Sequence, residues 1–247
     1  MIDDIKTKHL KLFIDERVDV ANVMREVLGF NYKGLKKYLF FTKYFNRAYK
    51  LMNEMSGVDL QDLPLKESWL RIPSDIDHIP LIARLTLESK VADLASGDLI
   101  DNIVYIVALS CYYETTTKPL DVNSPYFREF KHRIYNTPFT AIIPIFNWVK
   151  NDLERSVNKW DGLFRQVEVQ DKDYDLAGGF MMKKFNVINT IRNICQQLNV
   201  DKEDAWQVSY TITQTMALSD ATSAYIQKRM TDIKENRMRQ QRKSTNR

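Results

Sequence analysis

Long stretches of this chain keep their apolar residues three or four apart, and little interrupts them. Only seven glycines and seven prolines are spread over 247 residues. A many-stranded sheet needs frequent tight turns, many with positive φ, so this sparse punctuation selects helices. The expected fold is mainly α: a multi-helix globular body followed by a C-terminal three-helix unit and a basic tail. At this length the chain can bury a sizeable core, as one large domain or two small ones.

The helical runs are assigned from periodicity and caps. Residues 8–28 read as one amphipathic helix (Leu12, Val20, Val23, Val27, Leu28) stopped by Gly29. Residues 34–55 read as a second, with Tyr38, Phe41, Phe45, Tyr49 and Met52 turned to a core and Gly57 closing it. Pro64, Pro73 and Pro80 make residues 58–80 an extended connector, with a short strand around Ser68–Ile72. Helices are expected over 81–95 and 99–113, separated by Ser96-Gly97-Asp98 as stop and N-cap; the second is apolar nearly all round and is the candidate central helix, with a strand as its rival. Residues 115–125 are turn and cap material before a short helix at 126–135. Pro144 is expected to kink or divide the apolar segment that follows, leaving a further helix at 151–167.

The acidic stretch 168–179, ending in Gly178-Gly179, reads as a junction. The resulting division is an N-terminal helical domain over 1–170, a linker over 171–179, a helical unit over 180–235 and a flexible basic tail over 236–247. In the helical unit, Met181, Phe185, Ile188, Ile191, Cys195 and Leu198 form one face. Asp201 caps a second helix striped with Trp206, Tyr210, Thr213 and Ala217. A third starts near Ser219, with Ala221, Tyr225 and Met230 inward.

Charge is unevenly placed. From Lys228 onward the chain carries +6, against +4 for the whole, so residues 1–227 sum to −2. A nearly neutral body with a cationic helical end suits docking onto a partner more than enclosing a reaction. Residues 33–50 hold Lys33, Lys36, Lys37, Lys43, Arg47 and Lys50 without an acid, among aromatics. Single-strand binders combine cations with stacking aromatics, so Lys36, Lys37, Lys43 and Arg47 form an alternative nucleic-acid site. The competing reading makes the aromatics core and the lysines its wet side.

Motifs for chemistry are missing. The histidines, His9, His78 and His132, have no second His or Cys at ligand spacing. Asp171, Asp173 and Asp175 imitate a calcium loop, but Leu176 and Met182 stand where Gly and Glu are required. Neither GxxxxGK[ST], GxGxxG nor GxSxG occurs. No catalytic residue, metal ligand or cofactor is assigned, and the chain reads as a non-enzyme. Cys111 and Cys195 sit in apolar runs, which fits a reducing cytosol. The acidic N-terminus lacks a signal-peptide core, and no apolar run is long enough to span a bilayer.

Two segments carry a resemblance. One runs from Ile79-Pro80-Leu81-Ile82-Ala83-Arg84 to IDNIVYIVALSCYYE (Ile100–Glu114). The other is FNVINTIRNICQQLNVDKEDAWQVSYTITQTMALSD (Phe185–Asp220), continuing into AYIQKRMTDIKE (Ala224–Glu235). A helical body, a compact unit built on Trp206 and a charged exit helix follow in that order. The chain resembles the baseplate hub assembly proteins of T4-like contractile-tailed bacteriophages, and more loosely phage tail assembly chaperones. The resemblance implies a non-enzymatic, virus-encoded assembly factor acting in the host cytoplasm on baseplate hub or tail proteins. Trp206, Tyr210 and Tyr225 would anchor a partner in helix-in-groove fashion, or form the unit's own core. Arg229, Arg237 and Arg239 would face an acidic partner. A structural tail subunit retained in the virion and a nucleic-acid-binding protein are the alternatives.

Overall fold

The structure is a computed structural model that describes residues 3, 5–14, 19–30, 36–61, 63–65, 68–95, 98–167 and 186–245. Its elements are helical: α1 (Lys11–Ile14), α2 (Val20–Asn22), α3 (Lys36–Ser56), α4 (Leu81–Ala92), α5 (Leu99–Thr116), α6 (Pro125–Tyr135), α7 (Phe139–Gln166), α8 (Asn186–Leu198), α9 (Lys202–Ala205) and α10 (Tyr210–Thr245). Among the described residues there is no strand, and Ser68–Ile72, expected to be one, is irregular. The chain forms two compact units: Met1–Ile76 with Ala83–Asp152, and Asp77–Ile82 with Leu153–Arg247. This division differs from the expected one at the 170s; residues 168–185, with the acidic-Gly linker and the calcium-like aspartates, lie outside the described residues.

The first unit is built on α5. Asp98 caps it, accepting from the amides of Ile100 and Asp101. The Lys11 ammonium, 3.1 Å away, holds the Asp98 carboxyl below its usual range, with the Asp101 amide adding to the effect. Eleven of the eighteen α5 residues are buried, so the all-round apolar pattern is that of a central helix. Ser110, buried among them, is satisfied by donating to the Ile106 carbonyl at 2.8 Å. Helix α5 ends on Thr117 at φ 56°, and Ser124 caps α6 with Pro125 in its first turn. Phe127 and Phe130 of α6 meet Tyr105, Tyr112 and Trp69 edge to face at 5.2–5.6 Å. The Trp69 indole donates to Thr137 Oγ1 at 3.0 Å and carries the Arg133 guanidinium 3.9 Å above its ring. The Thr137 carbonyl in turn accepts the amide and the hydroxyl of Thr7, both at 2.9 Å, which ties the N-terminal segment to the end of α6.

Three expectations for this unit are corrected. Residues 8–28 are not one helix: α1 ends at Ile14, and Asp19 caps a new start that widens into a π-turn over Val23–Val27. The widening brings Val23 and Met24 onto Phe30 and Ala48. Gly29, at φ 66°, makes the turn that lets the Phe30 amide reach the Met24 carbonyl. Among the described side chains of α3, Ala48 and Leu51 are buried, while Phe45 and Tyr49 are exposed. Met52, from the expected stripe, does pack against the Val23–Met24–Phe30–Ala48 cluster, while the side chains of Tyr38 and Phe41 lie outside the described ones. Third, Pro144 does not divide α7, which continues from Phe139 to Gln166. An interior proline costs about 3 kcal/mol. Burying Ile142, Ile143, Ile145, Phe146 and Val149, at roughly 1.5–3 kcal/mol per side chain, outweighs it.

In the second unit a short segment organises the rest. The Asp77 carboxylate, 1% exposed, accepts from Ser156 Oγ, from the Trp160 indole at 2.9 Å and from Lys159 Nζ at 3.2 Å. The Asp77 carbonyl accepts from Thr211 Oγ1 at 3.0 Å. Just beyond, the amides of Leu81 and Ile82 donate to the carbonyls of Val208 and Trp206, and the Tyr210 amide donates to the Ile79 carbonyl. Leu81 and Ile82 open α4, where amides have no partner within the helix; a crossing chain segment supplies the acceptors. We expect Asp77→Ala to lower the unfolding free energy by about 3 kcal/mol, because it strands the buried donors of Ser156 and Trp160 and removes the partner of the exposed Lys159, and Asp77→Asn to lose less. Denaturant unfolding of the full chain measures both; equal, small losses would contradict this role.

Candidate docking site of the second unit

Helix α8 follows an amphipathic plan, only partly along the expected line. Ile191 and Ile194 are buried, whereas Ile188 and Leu198, assigned to the inner face, are 65% and 42% exposed. The chain then turns through Asn199 at φ 53° into Asp201, whose carboxylate caps α9 by accepting from the amides of Glu203 and Asp204 at 2.9 Å. Trp206 follows at the end of α9, its carbonyl held by the Ile82 amide.

Between these elements lies an apolar groove of about 460 Å³, lined by Val187, Ile188, Ile191, Cys195 and Trp206, with Arg192 and Lys202 also at its wall. Two cations on an otherwise apolar concavity suit an amphipathic segment whose polar edge is acidic or amide-rich. Trp206 is half-buried and lines the groove, the position expected of an anchor.

The remaining expected contacts do not gather around it. The break after α9 falls at Gln207–Ser209, not near Ser219, and α10 then runs unbroken from Tyr210 to Thr245. The tail expected to be flexible over 236–247 is therefore helical through Thr245. With a rise of 1.5 Å per residue the helix is about 54 Å long. Tyr210 is half-buried at its start, next to the Ile79 contact. Tyr225, Arg229, Arg237 and Arg239 lie roughly 22–44 Å further along the axis, and the three arginines are exposed. Arg239 pairs with Glu235 at 3.6 Å. Met230, expected to face inward, is 52% exposed. The groove and the cationic end are thus two separate surfaces.

The alternative site lies on α3. The backbone of Lys36, Lys37 and Lys43 is helical, and their side chains lie outside the described ones; Arg47 is exposed.

Sequence reasoning missed a deeply buried polar residue, Asp77. One aspartate between Ile76 and Ile79-Pro80 looks like a turn residue, and only its apolar neighbours hint at burial. A second titratable cluster lies in the first unit, where Tyr135 OH and Lys131 Nζ both donate to Asp101 Oδ1. Burial, then the hydrogen bond to Asp101, raises the Tyr135 phenol above its ordinary range. That moves it away from the neutral range in which a general acid or base works best. Burial lowers His9, with Lys8 and Lys6 adding to it, and leaves Nδ1 buried without a partner.

The two thiols differ in kind. Burial pushes Cys111 up to about 12, whereas Cys195 stands partly exposed at the groove wall. A thiol reagent at pH 8 should modify the native chain once, at Cys195, and modify Cys111 only on unfolding. Mass spectrometry of the labelled peptides checks this, and rapid native labelling of Cys111 would contradict its burial.

Comparisons of the chain with protein-family models, with curated proteins and with solved structures find no match. Among the described residues, no helix is long and apolar enough to cross a membrane.

Proposed function

We propose that this protein is a non-enzymatic, phage-encoded assembly factor that promotes formation of the tail baseplate hub through protein–protein contacts in the host cell. The observation that carries the docking half of this reading is the groove beside Trp206. It is apolar, open and flanked by cations, and its walls are set by the Asp201 cap and the backbone pairing of residues 206–210 with 79–82. An amphipathic segment of a hub or tail protein would lie in it, with Trp206 as the central anchor. The assembly half rests on the resemblance of Ile79–Arg84, Ile100–Glu114 and Phe185–Glu235 to hub assembly proteins.

A pull-down of the tagged chain from phage-infected cells, with mass spectrometry of the captured proteins and of purified virions, tests it. Recovery of hub or tail proteins with the chain absent from virions supports an assembly factor. Stoichiometric presence in virions would make it a structural subunit instead. Within the captured complex, removing Lys234–Arg247 should weaken binding more at low salt than at high salt, because charge steering is screened by salt. Equal loss at both would remove the steering role.

One observation favours a second reading. Phe45 and Tyr49 stand one helical turn apart and 39% and 55% exposed, beside Arg47 and Lys50, so the core does not absorb them. Exposed aromatics among cations suit stacking with single-stranded nucleic acid. On this reading Phe45→Ala/Tyr49→Ala should weaken binding of a labelled oligothymidine at least tenfold, measured by anisotropy. Unchanged binding would exclude a stacking role.

A further inference from the structure

Helix α10 has two regimes. Near its start Thr213 is buried, and the helix is tethered to α8 by Gln197 donating to Asp220. From Ser223 to Gln241 every residue except Tyr225 is exposed. In proteins most helical stability comes from packing an amphipathic face and not from propensity alone.

The exposed stretch has such a face. Ile226, Met230 and Ile233 are 51%, 52% and 45% exposed and follow one another at spacings of four and three, with Arg237 next in the same step. Toward the N-terminus the register passes through Ser223, Ser219, Met216 and Ile212. Alternating four–three spacing is the seam of a coiled coil.

The positions flanking the seam decide what can lie on it. From Ile226 to Gln241 they are Gln227, Arg229, Lys234, Asn236 and Gln241, with no acid among them. Stepping 100° per residue, the two acids of the stretch, Asp232 and Glu235, fall on the other half of the helix, where Glu235 pairs with Arg239. A second copy, parallel or antiparallel, would therefore set cations against cations or amides. It would also place two Arg237 side chains in the seam or leave each facing an apolar residue. An acidic helix instead supplies a carboxylate for Arg229, Lys234 and Arg237.

We propose that the Ile226–Arg237 seam of α10 pairs with an amphipathic helix of a partner protein whose flanking positions carry Glu or Asp. This rests on the reading of the second unit as a docking module and adds a contact surface distinct from the groove. Arg237, as the one charged residue in the seam, fixes the register by requiring an acid opposite it.

The test uses the full chain and a designed three-heptad peptide with Leu along its seam and Glu at its flanking positions, followed by fluorescence anisotropy. Saturable binding that weakens with salt is expected. Ile226→Ser/Ile233→Ser should weaken it at least tenfold, and Arg229→Glu/Lys234→Glu should abolish it while conferring binding to the matching Lys-flanked peptide. All four positions are solvent-exposed, and circular dichroism checks that the variants remain folded. Four results would overturn the proposal: unchanged binding by the seam variant; equal binding of acidic and basic peptides by the wild type; duplex DNA binding as well as the acidic peptide; or a wild-type dimer in sedimentation equilibrium that Ile233→Ser dissociates. Because the probe is a designed peptide, failure to capture hub proteins leaves these outcomes intact. Hub proteins that still bind the seam variant through the groove would keep the assembly reading, while the peptide outcomes decide this one.

Discussion

A single buried carboxylate sets the arrangement of the second unit. Asp77 has almost no access to water, so its charge must be compensated from within. Ser156, Lys159 and Trp160 do this from one face of α7, while the backbone carbonyl of the same residue takes the Thr211 hydroxyl of α10. A carboxylate can accept several donors at once, which neither an amide nor an apolar side chain of similar size can match. That capacity is the physical reason an acid occupies this position. It fixes the register of residues 77–82, whose amides and carbonyls then fix residues 206–210. The Trp206 wall of the groove is placed by this sequence of contacts.

The first unit is held by a different balance. Its centre, α5, is apolar on nearly every side, and the edge-to-face contacts of α6 and Trp69 close over it. Polar groups there include well-matched ones, such as Ser110 on the Ile106 carbonyl and Thr137 between Trp69, Arg133 and Thr7, with His9 Nδ1 left unpaired. Burial dominates to the point that a proline inside α7 is tolerated. By contrast, residues 223–241 of α10 bury almost nothing. Cations concentrated toward its C-terminus favour the helix dipole there, a weak effect of under about 1 kcal/mol per charge. The exposed seam is where further stabilisation can be gained from a partner.

Much of the helical plan was legible because caps and stops are local chemistry. Asp98, Ser124 with Pro125, Asp201 and Gly29 act as their residue types require, each through hydrogen bonds or a φ value involving its near neighbours. The central role of α5 was legible too, since a helix apolar on all sides has only one stable place. The groove was half legible. Trp206 could be singled out by size and position, and Ile188, Ile191 and Cys195 as one apolar face of α8, but Val187 could not, and neither could the fact that this face lines an open groove.

What the amino-acid sequence determined by itself was the fold class, the main helix boundaries and the cationic end, all set by interactions within a few residues along the chain. Tertiary structure decided the rest. It left Phe45 and Tyr49 of α3 exposed while packing Met52 on the core; it widened the turn at Val23–Val27 so that Met24 reaches Phe30; and it carried α7 through Pro144 and α10 through Ser219. It also buried Asp77 against side chains far along the chain, Ser156, Lys159 and Trp160. They come from positions 79 to 83 residues away. Periodicity records which faces of a helix are able to pack, while the partner's shape and charge, brought from far along the chain, determine which one does.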